Sequence, residues 1–249
     1  MLPTIAFFAI TFALLLVLGR LAHRALHAVS LLVAGGTNLA TFLYAFPLLP
    51  GVALHECSHA LMAMVLGVEV RSFSLIPQRK ADGVTLGSVE VVRSDTLKNS
   101  LIGAAPLMFG LAALSAIGWF AFDTRKLTEA VLSANINAIS AQIIAAFGAA
   151  DAFIWFYLLF AIANTMVPSE SDRQAWPPVL IGLAIIFGVV AVFFGTDILR
   201  VAGPVALRTF NWLGAVFAIT AFADLIIMLP LWLLVRILER ATGKRVQFR

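Results

Sequence analysis

The chain has little charge. Only 12% of its 249 residues are Asp, Glu, Lys or Arg, about half the share in a soluble domain. That scarcity excludes an ordinary water-facing surface. Cysteine is nearly absent: Cys57 stands alone, which excludes an internal disulfide framework. Alternating segments of about ten residues are missing, and with them the signature of a transmembrane β-barrel. No basic patch interleaved with aromatics occurs. The excess of 17 basic over 13 acidic residues, and a pI near 9.7, therefore do not point to nucleic acid. No internal repeat or low-complexity linker divides the chain, so a single membrane-embedded domain over residues 1–249 is expected.

What is present is apolar. The chain is 61% hydrophobic with a mean hydropathy of +1.00. Runs at 2–19, 28–46, 50–66, 101–122, 149–167, 178–195 and 211–235 are candidates to cross about 30 Å of hydrocarbon. The expected fold class is all-α, a polytopic membrane protein with six or seven transmembrane helices. The count turns on Pro47 and Pro50, which either separate two spans or kink one helix that starts after Gly35-Gly36. Met1 to Gly19 has no positive leader and no small-x-small site behind it, so it reads as a retained span. With seven spans, thirteen lysines and arginines fall on one side and four, Arg125, Lys126, Arg200 and Arg208, on the other. This bias puts the C-terminus in the cytoplasm and suggests a multi-pass protein of the plasma (inner) membrane.

One polar cluster interrupts the apolar background: His55-Glu56-Cys57-Ser58-His59. On a helix, residues four apart share a face, so His55 and His59 can offer imidazole nitrogens to one metal ion. Glu56 sits beside them and is placed to act as general base toward a metal-activated water. Ionisable groups inside a span are costly and read as functional by default. Cys57, two residues from His55, reads as a small buried hydrophobe.

Residues 67–95 form the one substantial non-helical stretch. Val68 to Arg71 and Val89 to Val92 are β-prone, and Asp82-Gly83 supplies a turn, so a short β-hairpin-like insertion is expected. It is either a solvated hairpin or an edge strand for an extended substrate. Residues 125–147 keep apolar residues at helical spacing and read as an interfacial helix. His23 and His27, flanked by Arg20 and Arg24, read as a solvated juxtamembrane turn.

A catalytic zinc takes three protein ligands plus water. The stretch Asn164 to Arg173 closes an apolar span, is broken by Pro168, and ends on the same side as the His pair. That match in depth favours Asp172 or Glu170 as the third ligand, ahead of Asp224 and Asp151. Two imidazoles and a carboxylate suit Zn2+, one per chain.

These residues resemble the site-2 protease family of intramembrane zinc metalloproteases. The resemblance rests on His55-Glu56-Cys57-Ser58-His59, on Gly103-Ala104-Ala105-Pro106-Leu107 early in the next long span, and on Asn164 and Asp172, eight apart as in the family's N-x-x-P-x-x-x-x-D-G signature, with Pro168 one place later than the family's proline. It covers about residues 45–180, in a compact form without an appended PDZ or CBS domain. It implies that His55, His59 and Asp172 bind zinc, that Glu56 activates water, and that Asn164 positions the substrate peptide. It implies a membrane-anchored protein as substrate and a β-like element after the metal helix. Ser58 and Arg173 depart from the family pattern. They motivate an alternative, a non-proteolytic membrane protein with a structural metal site. A metal or solute transporter is a further alternative, although no repeated halves are visible.

Overall fold

The computed structural model describes residues 2–34, 36–80, 83–149, 151–195 and 197–246. Helix α1 (Leu2–Ala34) runs unbroken for 33 residues, about 50 Å at the usual rise per residue. The break expected between 19 and 28 does not occur. Arg20 to Leu26 holds good helix formers and neither Gly nor Pro, so nothing local stops the helix. Charge marks where a membrane ends, and a helix can continue past that point.

Helix α2 (Thr37–Ala45), a single 3-10 turn (Phe46–Leu48) and α3 (Leu49–Val65) follow one another, and Asn38–Val65 counts as one candidate span. Pro47 and Pro50 fall in the first turns of the 3-10 piece and of α3. There the missing N–H leaves no bond unmade. At the far end of α3, Gly67 adopts φ 68 and stops the helix.

The segment after α3 carries four short strands: β1 (Val70–Ser74), β2 (Gln78–Lys80), β3 (Gly83–Thr85) and β4 (Ser88–Val91). β1 pairs antiparallel with β4, Phe73 opposite Val89, with a register shift between Val70 and Ser72. β2 pairs antiparallel with β3, Arg79 opposite Val84. The expected turn residue Asp82 lies outside the described residues. Val68 packs with Ala63 of α3 and with Ile102, which fastens the start of this segment to α3.

Helix α4 (Thr96–Phe122) is capped by Asp95, whose side chain accepts from the Lys98 N–H at 2.9 Å. The stretch read as one interfacial helix is two, α5 (Thr124–Leu132) and α6 (Ile136–Gly148). Asn135 caps the second through the Ala138 N–H at 3.0 Å. α6 and α7 (Ala152–Ala163) meet at a bend of 102°. A four-residue helix α8 (Glu170–Arg173), then α9 (Trp176–Phe194) and the 46-residue α10 (Asp197–Thr242), complete the chain.

Five described helices are long and apolar enough to cross a membrane, or six if the bent α6–α7 pair is one span. This is the build of an all-α membrane protein. α1 packs most extensively on α10, through rings such as Phe8 against Phe210 at 5.0 Å and Phe12 against Phe217 at 5.5 Å. The main core gathers Leu114, Phe156, Leu159 and Val216 from α4, α7 and α10. α3 lies between α4 and α7, and that sandwich holds the polar cluster.

Candidate metal centre

His55 and His59 stand one turn apart on α3, with ring centroids 4.9 Å apart and edge to face. Each ring is fixed by a backbone carbonyl of a different neighbour. His55 Nδ1 lies 2.6 Å from the Thr165 carbonyl oxygen, just beyond α7. His59 Nδ1 lies 2.8 Å from the Ile102 carbonyl oxygen on α4. A carbonyl can only accept, so each Nδ1 carries the hydrogen and each Nε2 keeps its lone pair. The two Nε2 atoms face each other at 3.2 Å. Two lone pairs at that distance repel unless a cation stands between them.

Asp172 closes the group. Its Oδ1 lies 3.4 Å from His59 Nε2, and its Oδ2 lies 3.9 Å from His55 Nε2. The carboxylate is aimed by a capping box at the start of α8. Oδ2 accepts from the Ser169 N–H at 2.7 Å and from the Ser169 hydroxyl at 2.6 Å. Gly103 lets this loop approach α4: a Cβ there would meet the Asp172 carbonyl oxygen at 2.0 Å. Chain separation is thus overcome by two local devices, a cap and a missing side chain.

The donor set fits a metal ion. Among the described residues, His55, His59 and Asp172 offer ligand atoms that all lie within 4.8 Å of one another. Tetrahedral ligands at roughly 2.0–2.1 Å from a zinc would sit about 3.3 Å apart. The 3.2 Å and 3.4 Å separations match that value, and the third, from His55 Nε2 to the nearer Asp172 oxygen, is wider at 3.9 Å. The carbonyls of Thr165 and Ile102 and the Ser169 donors are the outer hydrogen bonds that such ligands need.

Glu56 is buried, 7% exposed, on the same turn of α3. The backbone just before β4 lies over it: a Cβ on Gly87 would stand 2.7 Å from Glu56 Cγ and 2.8 Å from Oε1. Ser58 is fully buried, and its hydroxyl donates to the His55 carbonyl at 2.6 Å, so it adds no orphaned polar group. Cys57 is exposed rather than buried, two residues along α3 from His55 and so on a different face of the helix.

Of the two acids left open as third ligand, Asp172 reaches the histidines, while Glu170 is exposed and outside the group. Asp151 is occupied by the Trp155 indole N–H at 2.7 Å. Asn164 is held by other partners: its amide nitrogen donates to the Phe160 carbonyl and to Asp224 Oδ1, both at 2.9 Å. His23 is no solvated turn residue. It lies on α1 with Nδ1 2.7 Å from the Tyr44 hydroxyl and Nε2 2.8 Å from the Asn164 carbonyl oxygen.

Sequence reasoning missed Thr165, Ile102 and Ser169. Backbone acceptors have no residue signature, but Ser169-x-x-Asp172 is a capping-box pattern that could have been read. Comparison with protein-family models, with curated proteins and with solved structures finds no match.

Proposed function

We propose that this chain is an intramembrane zinc endopeptidase, similar to the site-2 protease family, that cuts membrane-anchored proteins. The observation that carries the reading is the convergence of His55 Nε2, His59 Nε2 and the Asp172 carboxylate, with a buried Glu56 one residue from the first ligand. His55, His59 and Asp172 would hold one zinc ion. A zinc bound there lowers the pKa of water from about 15.7 to about 7 and polarises a carbonyl. Glu56 takes a proton from the attacking water and returns it to the departing amine as the C–N bond breaks. Thr165 and Ile102 hold the imidazoles in the tautomer that leaves Nε2 unprotonated.

A transmembrane helix must unwind before its carbonyls can be attacked, because they are bonded internally. β1 and β4 form a two-stranded sheet, so each keeps one edge outside that ladder. In this reading an edge of that sheet pairs with the unwound substrate close to Glu56, which the approach of Gly87 supports. The lysine and arginine bias supports a cytoplasmic C-terminus in a plasma (inner) membrane.

A second reading has its own observation. Both Asn164 amide hydrogens are taken, by Phe160 and by Asp224, which favours a metal site without the expected substrate contact. One experiment separates the two: zinc content and cleavage of a membrane-anchored reporter by protein reconstituted in vesicles. About one zinc per chain with cleavage that Glu56→Gln abolishes supports the peptidase. Zinc without cleavage supports the structural site, and absence of zinc removes both.

A further inference from the structure

Two adjacent carbonyls just beyond α7 each bind a histidine from a different helix. The Asn164 carbonyl accepts from His23 Nε2 of α1 at 2.8 Å. The Thr165 carbonyl accepts from His55 Nδ1 of α3 at 2.6 Å. The last carbonyls of a helix have no partners within it and must be satisfied from outside. Here two consecutive peptide units, joined at the Thr165 Cα, tie the orientation of a ring proposed as a metal ligand to a polar contact on α1.

The same segment is fastened from α10 through the Asn164 side chain. Asn164 Nδ2 donates to the Phe160 carbonyl, which fixes the amide orientation, and to Asp224 Oδ1. Asp224 is fully buried. On the far side of this contact Asn164 Oδ1 and Asp224 Oδ2 are both buried and unpartnered. His23 Nε2 must donate, since the carbonyl cannot, so Nδ1 accepts from the Tyr44 hydroxyl at 2.7 Å. α1, the end of α7 and α10 thus meet at Asn164, and α2 is linked to it through His23. The metal helix joins them one residue later: a Cβ on Gly51 of α3 would stand 2.2 Å from Thr165 Oγ1.

We infer that Asp224, Asn164 and His23 are positioning residues for the metal ligand His55, acting through the Thr165 carbonyl. The inference takes the role of His55 as a ligand from the proposed function. Physically, a buried donor that loses its acceptor must move to find another or remain unmet. Removing Asp224 leaves one Asn164 amide hydrogen unmet, and a shift of Asn164 to satisfy it displaces the next carbonyl. Asp224→Asn keeps an oxygen to accept from Asn164 Nδ2 and adds an N–H that can meet Asn164 Oδ1. Asp224→Ala keeps neither.

The test uses the full chain in detergent with 15N-labelled histidine, first without metal and then titrated with zinc against a competing chelator. His55 should be in the Nδ1–H tautomer in wild type and in Asp224→Asn. It should become a tautomer mixture in Asp224→Ala and His23→Ala. His59, held by Ile102 on another helix, should keep its Nδ1–H form in every variant and so reports intact folding. Zinc affinity should fall by about 10- to 100-fold in the two alanine variants, as for loss of other outer contacts to metal ligands.

An unchanged His55 tautomer in Asp224→Ala overturns the inference whatever the zinc result. So does a shift of His55 and His59 together, which marks general loosening, and so does an Asp224→Asn variant that behaves like Asp224→Ala. A wild type that binds no zinc but gives the expected tautomer pattern sinks the proposed function and leaves the positioning network standing.

Discussion

Gly103 and Asp172 are in backbone contact, so close that a methyl group on Gly103 would overlap the Asp172 carbonyl oxygen at 2.0 Å. The neighbour is main chain, which cannot rotate aside as a long side chain can. Gly103→Ala must therefore lift the α8 loop and draw the carboxylate away from His59. Zinc affinity is expected to fall at least about tenfold, or about 1.4 kcal/mol. Gly182→Ala is the control, since nothing lies within 4 Å of its added Cβ. Zinc retained after dialysis measures both, and equal retention would disprove the packing account.

Ser169 controls the direction of the same carboxylate. Its hydroxyl donates to Asp172 Oδ2 at 2.6 Å, while its backbone N–H donates to the same atom at 2.7 Å. Ser169→Ala leaves the second bond and removes the first, along with the cap on α8. A loss of about 1 kcal/mol in cap energy is expected. Zinc affinity should drop by about 10-fold or somewhat more, with Ser169→Thr close to wild type. An alanine variant with wild-type affinity, measured by chelator competition, counts against Ser169 as the aiming group.

The candidate metal triad is partly legible in the sequence, and the reasons are physical. His55 and His59 repeat at one helical turn inside apolar surroundings, so their shared face follows from spacing alone. Depth alone leaves Asp172 and Glu170 both open, the resemblance favours Asp172, and the cap geometry of α8 shows how its carboxylate reaches the histidines. The carbonyls of Thr165 and Ile102 could not be read, because every residue has one. The Asn164–Asp224 contact spans 60 residues and two helices, so no local pattern announces it. The break expected near Arg20 does not occur, and the last helix begins at Asp197 rather than at 211, for one reason. Hydropathy finds the apolar stretch, and α1 and α10 continue as helix beyond it.

Asp123 joins α4 to α5 in a left-handed conformation, φ 47 and ψ 58. Its carboxylate accepts from the Lys126 backbone N–H and lies 2.8 Å from Lys126 Nζ. The side-chain hydrogen bond from Lys126 holds the carboxyl below its ordinary range. A lowered folded value means that its stabilisation is present above the unfolded value near 3.9 and is lost as pH falls through the folded value. The corner should therefore loosen only in acid, as pH falls below the unfolded value, and only slightly, because the pair is exposed. Asp123→Asn tolerates the left-handed geometry and keeps the cap acceptor. Asp123→Val should lower stability by roughly 1–2 kcal/mol. Thermal unfolding of both variants at pH 7 gives the comparison. A valine variant as stable as the asparagine one would remove the conformational argument.

Gly87 offers a way to disturb the proposed base without touching the ligands. A Cβ there would stand 2.8 Å from Glu56 Oε1, so Gly87→Ala must push the carboxylate aside or raise the strand segment. Neither movement reaches His55, His59 or Asp172 directly. Cleavage of a membrane-anchored reporter is expected to fall by at least about tenfold with zinc content unchanged, since a base misplaced by about 1 Å costs roughly that or more. Glu56→Gln should also keep its zinc while losing all cleavage. Adding Gly87→Ala to Glu56→Gln should then do nothing further, because the group it displaces no longer acts. If Gly87→Ala empties the metal site instead, the strand segment supports the ligands, and its proposed role in presenting substrate to Glu56 would have to be given up.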